Sequence, residues 1–286
     1  MLLFSAMIAG SFALGSMAAP HIPSTALNAV RFVLASAILW AAAVATVGIP
    51  RATWRASWRY IALGGCMGVY FVLMFVALKT APPVSAAAIF TLTPVLSGFF
   101  GYILLRQITT RRMALALSVG AVGAIWVIFR GDLQALARLD VGRGEAIFLI
   151  GCAAHALYTP LVRKLNRGEH PLVFSLGVLV ATAGLIAAVG ARDIIRTDWA
   201  ALPAIVWVTI GYTAVFATAA TFVLLQFATL RLPAAKVMAY TYLTPSWVLV
   251  WQAALGIGFV PTLVLPGIAL TIFALLLLLK DETPGG

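Results

Sequence analysis

Charge is scarce in this 286-residue sequence: 9% of its residues are Asp, Glu, Lys or Arg, against 63% that are hydrophobic. A water-soluble domain of this length has too little interior to hide so much apolar surface. Soluble fold classes are therefore excluded, and lipid is the solvent for most of the chain. Acidic residues number only eight, and the long apolar stretches read as free of Asp and Glu. Carboxylates are the common relays for proton or sodium coupling inside a membrane, so their shortage disfavours a proton-coupled mechanism. The same shortage leaves intramembrane hydrolysis without its nucleophile–base pair or metal cluster, so neither an enzyme nor a metal or other cofactor is expected. Cysteine is limited to Cys66 and Cys152, both inside apolar stretches and without ligand spacing, which reads as packing. Period-2 alternation is missing too, which excludes barrel strands.

What remains is a series of apolar runs near 2–19, 25–48, 57–79, 83–105, 111–129, 142–164, 170–190, 200–227, 233–255 and 261–280. Each is close to the roughly 20 residues that a helix needs to cross a bilayer. The first run lacks a basic leader, so it reads as a helix, although "SMAAP" resembles a small-residue cleavage site. The net charge of +11 sits in short connectors and points to topology and anionic headgroups rather than to nucleic acid. With the N-terminus cytoplasmic, the inside connectors hold Arg51, Arg55, Arg59, Arg106, Arg111, Arg112, Arg163, Lys164, Arg167, Arg231 and Lys280. The outside ones hold Lys79, Arg130, Arg138, Arg143, Arg192 and Arg196. This bias of eleven to six places both termini inside.

Proline is placed oddly. Pro94 stands in the middle of the run Val84–Leu105, where an interior proline costs about 3 kcal/mol in an ordinary helix. Pro245 repeats the pattern. A shift of 151 residues superposes Pro82 on Pro233, Ala88 on Ala239, Leu92 on Leu243, Thr93 on Thr244 and Pro94 on Pro245. The expected fold is thus an all-α integral membrane protein of ten transmembrane helices, built as two five-helix repeats, 1–135 and 136–286. An odd number of helices per repeat inverts the second half. Inverted repeats mark many secondary transporters, whose substrate site lies at mid-depth between the halves. Pro94 and Pro245 then read either as hinges of alternating access or as static kinks copied by duplication.

The residues "NAVRFVLASAILW", "FVALKTAPPVSAAAIFTLTPVLSGFF" and their echo "QFATLRLPAAKVMAYTYLTP" resemble the EamA group of the drug/metabolite transporter superfamily, over the whole chain. The resemblance implies export or uptake of small metabolites through a multi-pass protein of a bacterial-type inner membrane. The branch that it most resembles exports aromatic amino acids and methyl viologen, so amino acids, aromatic ones favoured, or related aromatic or cationic compounds are the implied substrates. The family pattern often has a glutamate just after spans four and nine; "YILLRQIT" and "AALGIGFV" have none. The expected partners are a small-molecule substrate and the lipid bilayer, and a monomer is compatible with this reading. A narrow channel-like facilitator is the alternative.

Candidate binding residues are polar or aromatic groups at mid-run. His155, in "GCAAHALYTP", shares a helical face with Tyr158 and Thr159. It reads as a ligand or coupling residue, or as a histidine satisfied by a neighbouring carbonyl. Tyr70, Tyr212, Tyr240 and Tyr242 lie too deep for a headgroup belt, unlike Trp54, Trp58, Tyr60 and Trp199. Phe90 and Thr91 precede the first proline. Trp247 lies on a stripe with Lys236, Tyr240, Thr244 and Trp251. Together these side chains would line an aromatic, weakly polar cavity suited to flat rings, or would simply pack. Arg31, in the second run, reads as snorkelling outward or capping the repeat interface.

Overall fold

The computed structural model describes residues 1–108, 110–134, 141–256 and 262–279. Lys280, Arg138 and Asp140 lie outside the described residues, as does the start of the tenth run. Every regular element among the described residues is helical. In lipid no water is available to main-chain groups, and an α-helix satisfies them within itself. The helices are α1 Leu2–Ala18, α2 Ser24–Thr46, α3 Trp58–Ala77, α4 Pro83–Phe90, α5 Thr93–Leu105, α6 Arg111–Ile128 and α7 Arg143–Leu165. They continue as α8 Pro171–Val189, α9 Ala191–Arg196, α10 Ala204–Ala214, α11 Thr221–Thr229, α12 Ala234–Ala239, α13 Thr244–Leu255 and α14 Leu265–Leu279. Seven spans among the described residues are long and apolar enough to cross a membrane unaided, counting α4–α5 and α10–α11 as one each. α1 and the helix at the tenth run are shorter and apolar, and the ninth run is divided between α12 and α13.

Two spans are interrupted where proline stands. α4 ends at Phe90 and α5 begins at Thr93, so Pro94 occupies the first turn of a new helix. Its missing N–H would have had no partner within that helix, and the 3 kcal/mol of an interior proline does not apply. The freed carbonyls are met locally: Thr91 Oγ1 donates to Ala88 O and Thr93 Oγ1 to Phe90 O, each at 2.6 Å. In the second half a 3₁₀ turn, Tyr240–Leu243, separates α12 from α13, and Thr241 Oγ1 donates to Met238 O at 2.7 Å. A third irregularity has no proline. The residues Val215–Ala220 form a π-helical segment between α10 and α11.

The two proline-interrupted spans cross antiparallel. α4 packs on α13 and α5 on α12, and at the crossing Thr93 Oγ1 lies 3.3 Å from Thr241 Oγ1. Elsewhere α3 packs on α7 and α8, α2 on α8, and α6 on α14. The last pair meets at two glycines. A Cβ on Gly123 would lie 2.6 Å from Gly267 O, and one on Gly267 would lie 2.7 Å from Gly123 O. Only hydrogen fits there.

Several connectors are tied to one another in pairs. Those at 47–57 and 166–170 share a surface pocket, joined by Arg59, whose Nη2 lies 2.6 Å from Glu169 Oε1 and whose Nη1 donates to Leu165 O at 2.7 Å. Burial alone would raise the Glu169 carboxyl. The Arg59 hydrogen bond, with the main-chain N–H of Arg167, outweighs it and holds the carboxyl below its ordinary value. Likewise Gln107 Oε1 accepts from Ala234 N at 3.3 Å. Elsewhere Thr25 Oγ1 donates to Asp193 Oδ2, and Trp126 Nε1 donates to Leu263 O at 2.7 Å.

Candidate functional site

α1, α3, α7 and the span α10–α11 enclose a small internal cavity of about 20 Å³, walled by Ser11, Tyr70, Phe71, His155, Ala217 and Phe222 among others. That volume admits about one water molecule. Aromatic rings surround it. Tyr70 lies 4.5 Å from the His155 ring and 5.6 Å from Phe90, which stacks on it. Phe90 in turn stands edge-on to His155 at 5.2 Å, so the end of α4, where the span breaks, touches the cavity wall. Tyr158 stacks beside His155 at 6.4 Å, and its hydroxyl accepts from Gln226 Nε2 at 3.2 Å. His155 Nδ1, Thr159 Oγ1 and Gln226 Oε1 are buried without a protein partner among the described residues. Of these three residues only His155 lines the cavity, whose walls are mostly ring faces and aliphatic groups.

The structure thus brings Tyr70, Phe90, His155 and Tyr158 together, with Thr91 buried at the adjoining break. The other candidates lie apart. Tyr212 donates to Met7 O at 2.9 Å and packs edge-on against Trp251. Tyr242 is inserted against Gly120, its hydroxyl facing Leu117 O at 3.5 Å, in a separate core between α6 and α14. Tyr240 borders that second core, and half-buried Trp247 packs against the main one. The expected stripe along run nine does not form a single helical face, because the 3₁₀ turn resets the register after Ala239.

Four other readings are corrected. Of the two readings of Arg31, only snorkelling is overturned; its hydrogen bonds run to residues 217 and 218, as an interface cap would. Arg31 is fully buried, Nε donating to Thr218 Oγ1 at 2.6 Å and Nη2 to Ala217 O at 3.0 Å, with its guanidinium 4.1 Å over the Phe71 ring. Tyr60 is not part of a headgroup belt: it is 2% exposed and donates to Thr53 O, whereas Trp54 is 43% exposed. Glu145 lies in the first turn of α7 and is buried, so only the interiors of the spans are free of acid. The 3 kcal/mol cost of Pro94 in a helix interior is also revised, since that proline stands in a first turn and Thr93 Oγ1 caps Phe90 O, whereas at Pro245 the matching Thr244 Oγ1 has no partner among the described residues. Gln226, Phe148 and Phe222 were not singled out from sequence; Gln226, a lone amide in an apolar run, was the one with a readable signal.

The model of a family described as EamA-like transporters matches residues 1–129 and again 142–280. The chain belongs to the EamA-like transporter family. It is also 28% identical over 216 residues to the "Uncharacterized transporter YyaM" of Bacillus subtilis (strain 168), a match covering 74% of this chain and 70% of that protein. A protein of known crystal structure superposes with a TM-score of 0.73 over 99% of this chain and 98% of its own, at 20% identity, which speaks to the fold alone. As an EamA-like protein the chain is a membrane transporter. The missing glutamate after span four of the EamA pattern also gains a physical reading. Gln107, just past the end of α5, supplies a neutral acceptor for the first main-chain N–H of α12, so the helix start is met without a charge.

Proposed function

We propose that this protein is a carrier that moves small metabolites by alternating access between two inverted five-helix halves, 1–135 and 136–286. The favoured cargo is amino acids, aromatic ones first, with related aromatic or cationic compounds next, in the direction of export. The proposed setting is a bacterial-type inner membrane with both termini cytoplasmic. The observation that carries the reading is the antiparallel crossing of two interrupted spans beside an enclosed aromatic cavity. Several features support the inversion. The family model matches once in each half. Packing of α3 on α7 has its counterpart in α10 on α1, and α5 on α7 in α13 on α1. The connectors that touch, 47–57 with 166–170 and the one at 107 with the start of α12, are ones that an odd number of crossings per half would bring together.

In this reading Tyr70, Phe90, His155 and Tyr158 bind the cargo, and the threonine-capped breaks at Pro94 and Pro245 let the half-helices swing. Tyr212, Tyr240, Tyr242 and Trp247 serve the packing of the moving parts. The small cavity corresponds to a closed form that must widen to admit a metabolite. The test is counterflow in liposomes holding the purified protein, with a panel of amino acids. Saturable exchange of aromatic members, weakened by Tyr158→Ala and His155→Ala in protein that still elutes as a single folded species, is the expected result. Linear flux without counterflow would favour the channel-like alternative. Full activity in both variants would move the site elsewhere.

A further inference from the structure

Two guanidinium groups are deeply buried among the described residues, and they differ in one respect. Arg59 has a carboxylate, Glu169, at 2.6 Å. Arg31, 0% exposed, has no ion-pair partner among the described residues, only a threonine hydroxyl, a main-chain carbonyl and two phenylalanine faces. A buried charge held this way is costly unless an opposite charge completes it. Its Nη1 has no acceptor at all among the described residues. Asn28, one turn earlier on α2, is also fully buried; it donates to Phe71 O at 3.3 Å and leaves its Oδ1 unpartnered.

The position of this group matters as much as its charge. Arg31 lies against Phe71 and Ala217, and both of these wall the cavity. The π-helical segment Val215–Ala220 supplies both of its hydrogen-bond acceptors. A π-segment widens the helical turn and recurs at functional sites. The guanidinium is therefore held by Thr218 and Ala217 behind Phe71, a ring that walls the cavity, and a widened cavity would reach it. Planar guanidinium donors match a carboxylate better than any other side-chain group does.

We propose that Arg31 anchors the carboxylate of the transported molecule, so that the cargo is a carboxylate-bearing solute and not a purely cationic one. This rests on the carrier reading above and narrows it. The cargo would bring the anion that no described residue supplies there, with its ring lying on Tyr70, Phe90 and His155 and its carboxylate paired with Arg31.

The experiment measures counterflow in proteoliposomes, and thermal shift in detergent, for phenylalanine, 3-phenylpropionate, phenylalaninamide and phenethylamine. The wild type is expected to exchange the two carboxylates with saturation and to favour them over the amide and the amine. Arg31→Gln should raise the half-saturation concentration for the carboxylates by about 10- to 100-fold, the usual weight of hydrogen bonds to a charged group. It should leave the amide and amine within about twofold, and Arg31→Lys should recover part of the loss. A variant that loses all four solutes equally, or none, makes Arg31 a structural prop and overturns the proposal. Where Arg31→Gln does not fold, the wild-type preference decides, and equal exchange of carboxylate and amide overturns it. Saturable exchange of the amine or amide alone leaves the carrier reading standing and removes this one. Exchange of nothing by folded wild type removes both.

Discussion

Replacing each proline at a span break by alanine tests whether the breaks act in transport. Pro94 and Pro245 are each the second residue of a helix, α5 and α13. Alanine at 94 restores an N–H that can reach Phe90 O, the carbonyl that Thr93 Oγ1 now caps at 2.6 Å. One further main-chain hydrogen bond is worth about 1 kcal/mol net, less whatever the threonine hydroxyl gives up. Only Thr91 and Leu92 need to adjust, and their backbone angles, φ −69° ψ −7° and φ −78° ψ −13°, are already near helical. A gain of about 1 kcal/mol is roughly fivefold in a two-state ratio, so a carrier balanced between its two faces would shift to about five to one. Turnover through the minor form then falls roughly threefold, and the melting temperature rises by about 2–4 °C. Because the halves are inverted in the proposed mechanism, Pro94→Ala and Pro245→Ala should favour opposite faces. The assay is counterflow together with thiol labelling of single cysteines at exposed Thr80 and Arg55, on opposite sides, in a background lacking Cys66 and Cys152. Unchanged turnover and unchanged labelling in both variants would refute the hinge and leave inherited, static breaks.

Three other outcomes are expected. Glu169→Gln strands the buried Arg59 guanidinium, which keeps its carbonyl partners, and should lower stability by about 2 kcal/mol near neutral pH. Since the folded Glu169 carboxyl is held below its ordinary 4.5, the stability from the pair is complete above that value and is lost as pH falls through the lower, folded one. The melting-temperature gap between wild type and variant should therefore narrow below about pH 4.5, and a gap that widens would contradict the sign. Gly123→Ala places a methyl against Gly267 O and should cost about 1–3 kcal/mol, whereas Gly184→Ala, with open space around it, should stay within about 0.5 kcal/mol in the same thermal melt. Cysteines placed in 106–112 and in 131–141 should label from opposite sides of sealed vesicles, and same-side labelling would remove the ten-span arrangement.

Composition, run length and the missing period-2 alternation were enough to point to a helical membrane protein, because in lipid only helices and closed barrels satisfy the main chain and the alternation of barrel strands is absent. The 151-residue register located both breaks, since proline acts through its own backbone and needs no neighbour to be seen. The grouping of His155 with Tyr158 was likewise local, a matter of three residues on one helix. Which way the remaining polar side chains point was not. In lipid the outer and inner faces of a helix are equally apolar, so periodicity does not say which tyrosine faces the cavity and which faces another core. Tyr212 and Tyr242 turned elsewhere for that reason, and Tyr60 turned into the protein beside its connector. Arg31 shows the limit most clearly. Its partners lie 186 and 187 residues away, in a helical turn whose widening no proline or glycine announces. Sequence placed a charge in an apolar run; only the packing of α2 against the π-helical segment decided that the charge faces inward, with one of its nitrogens unpaired among the described residues.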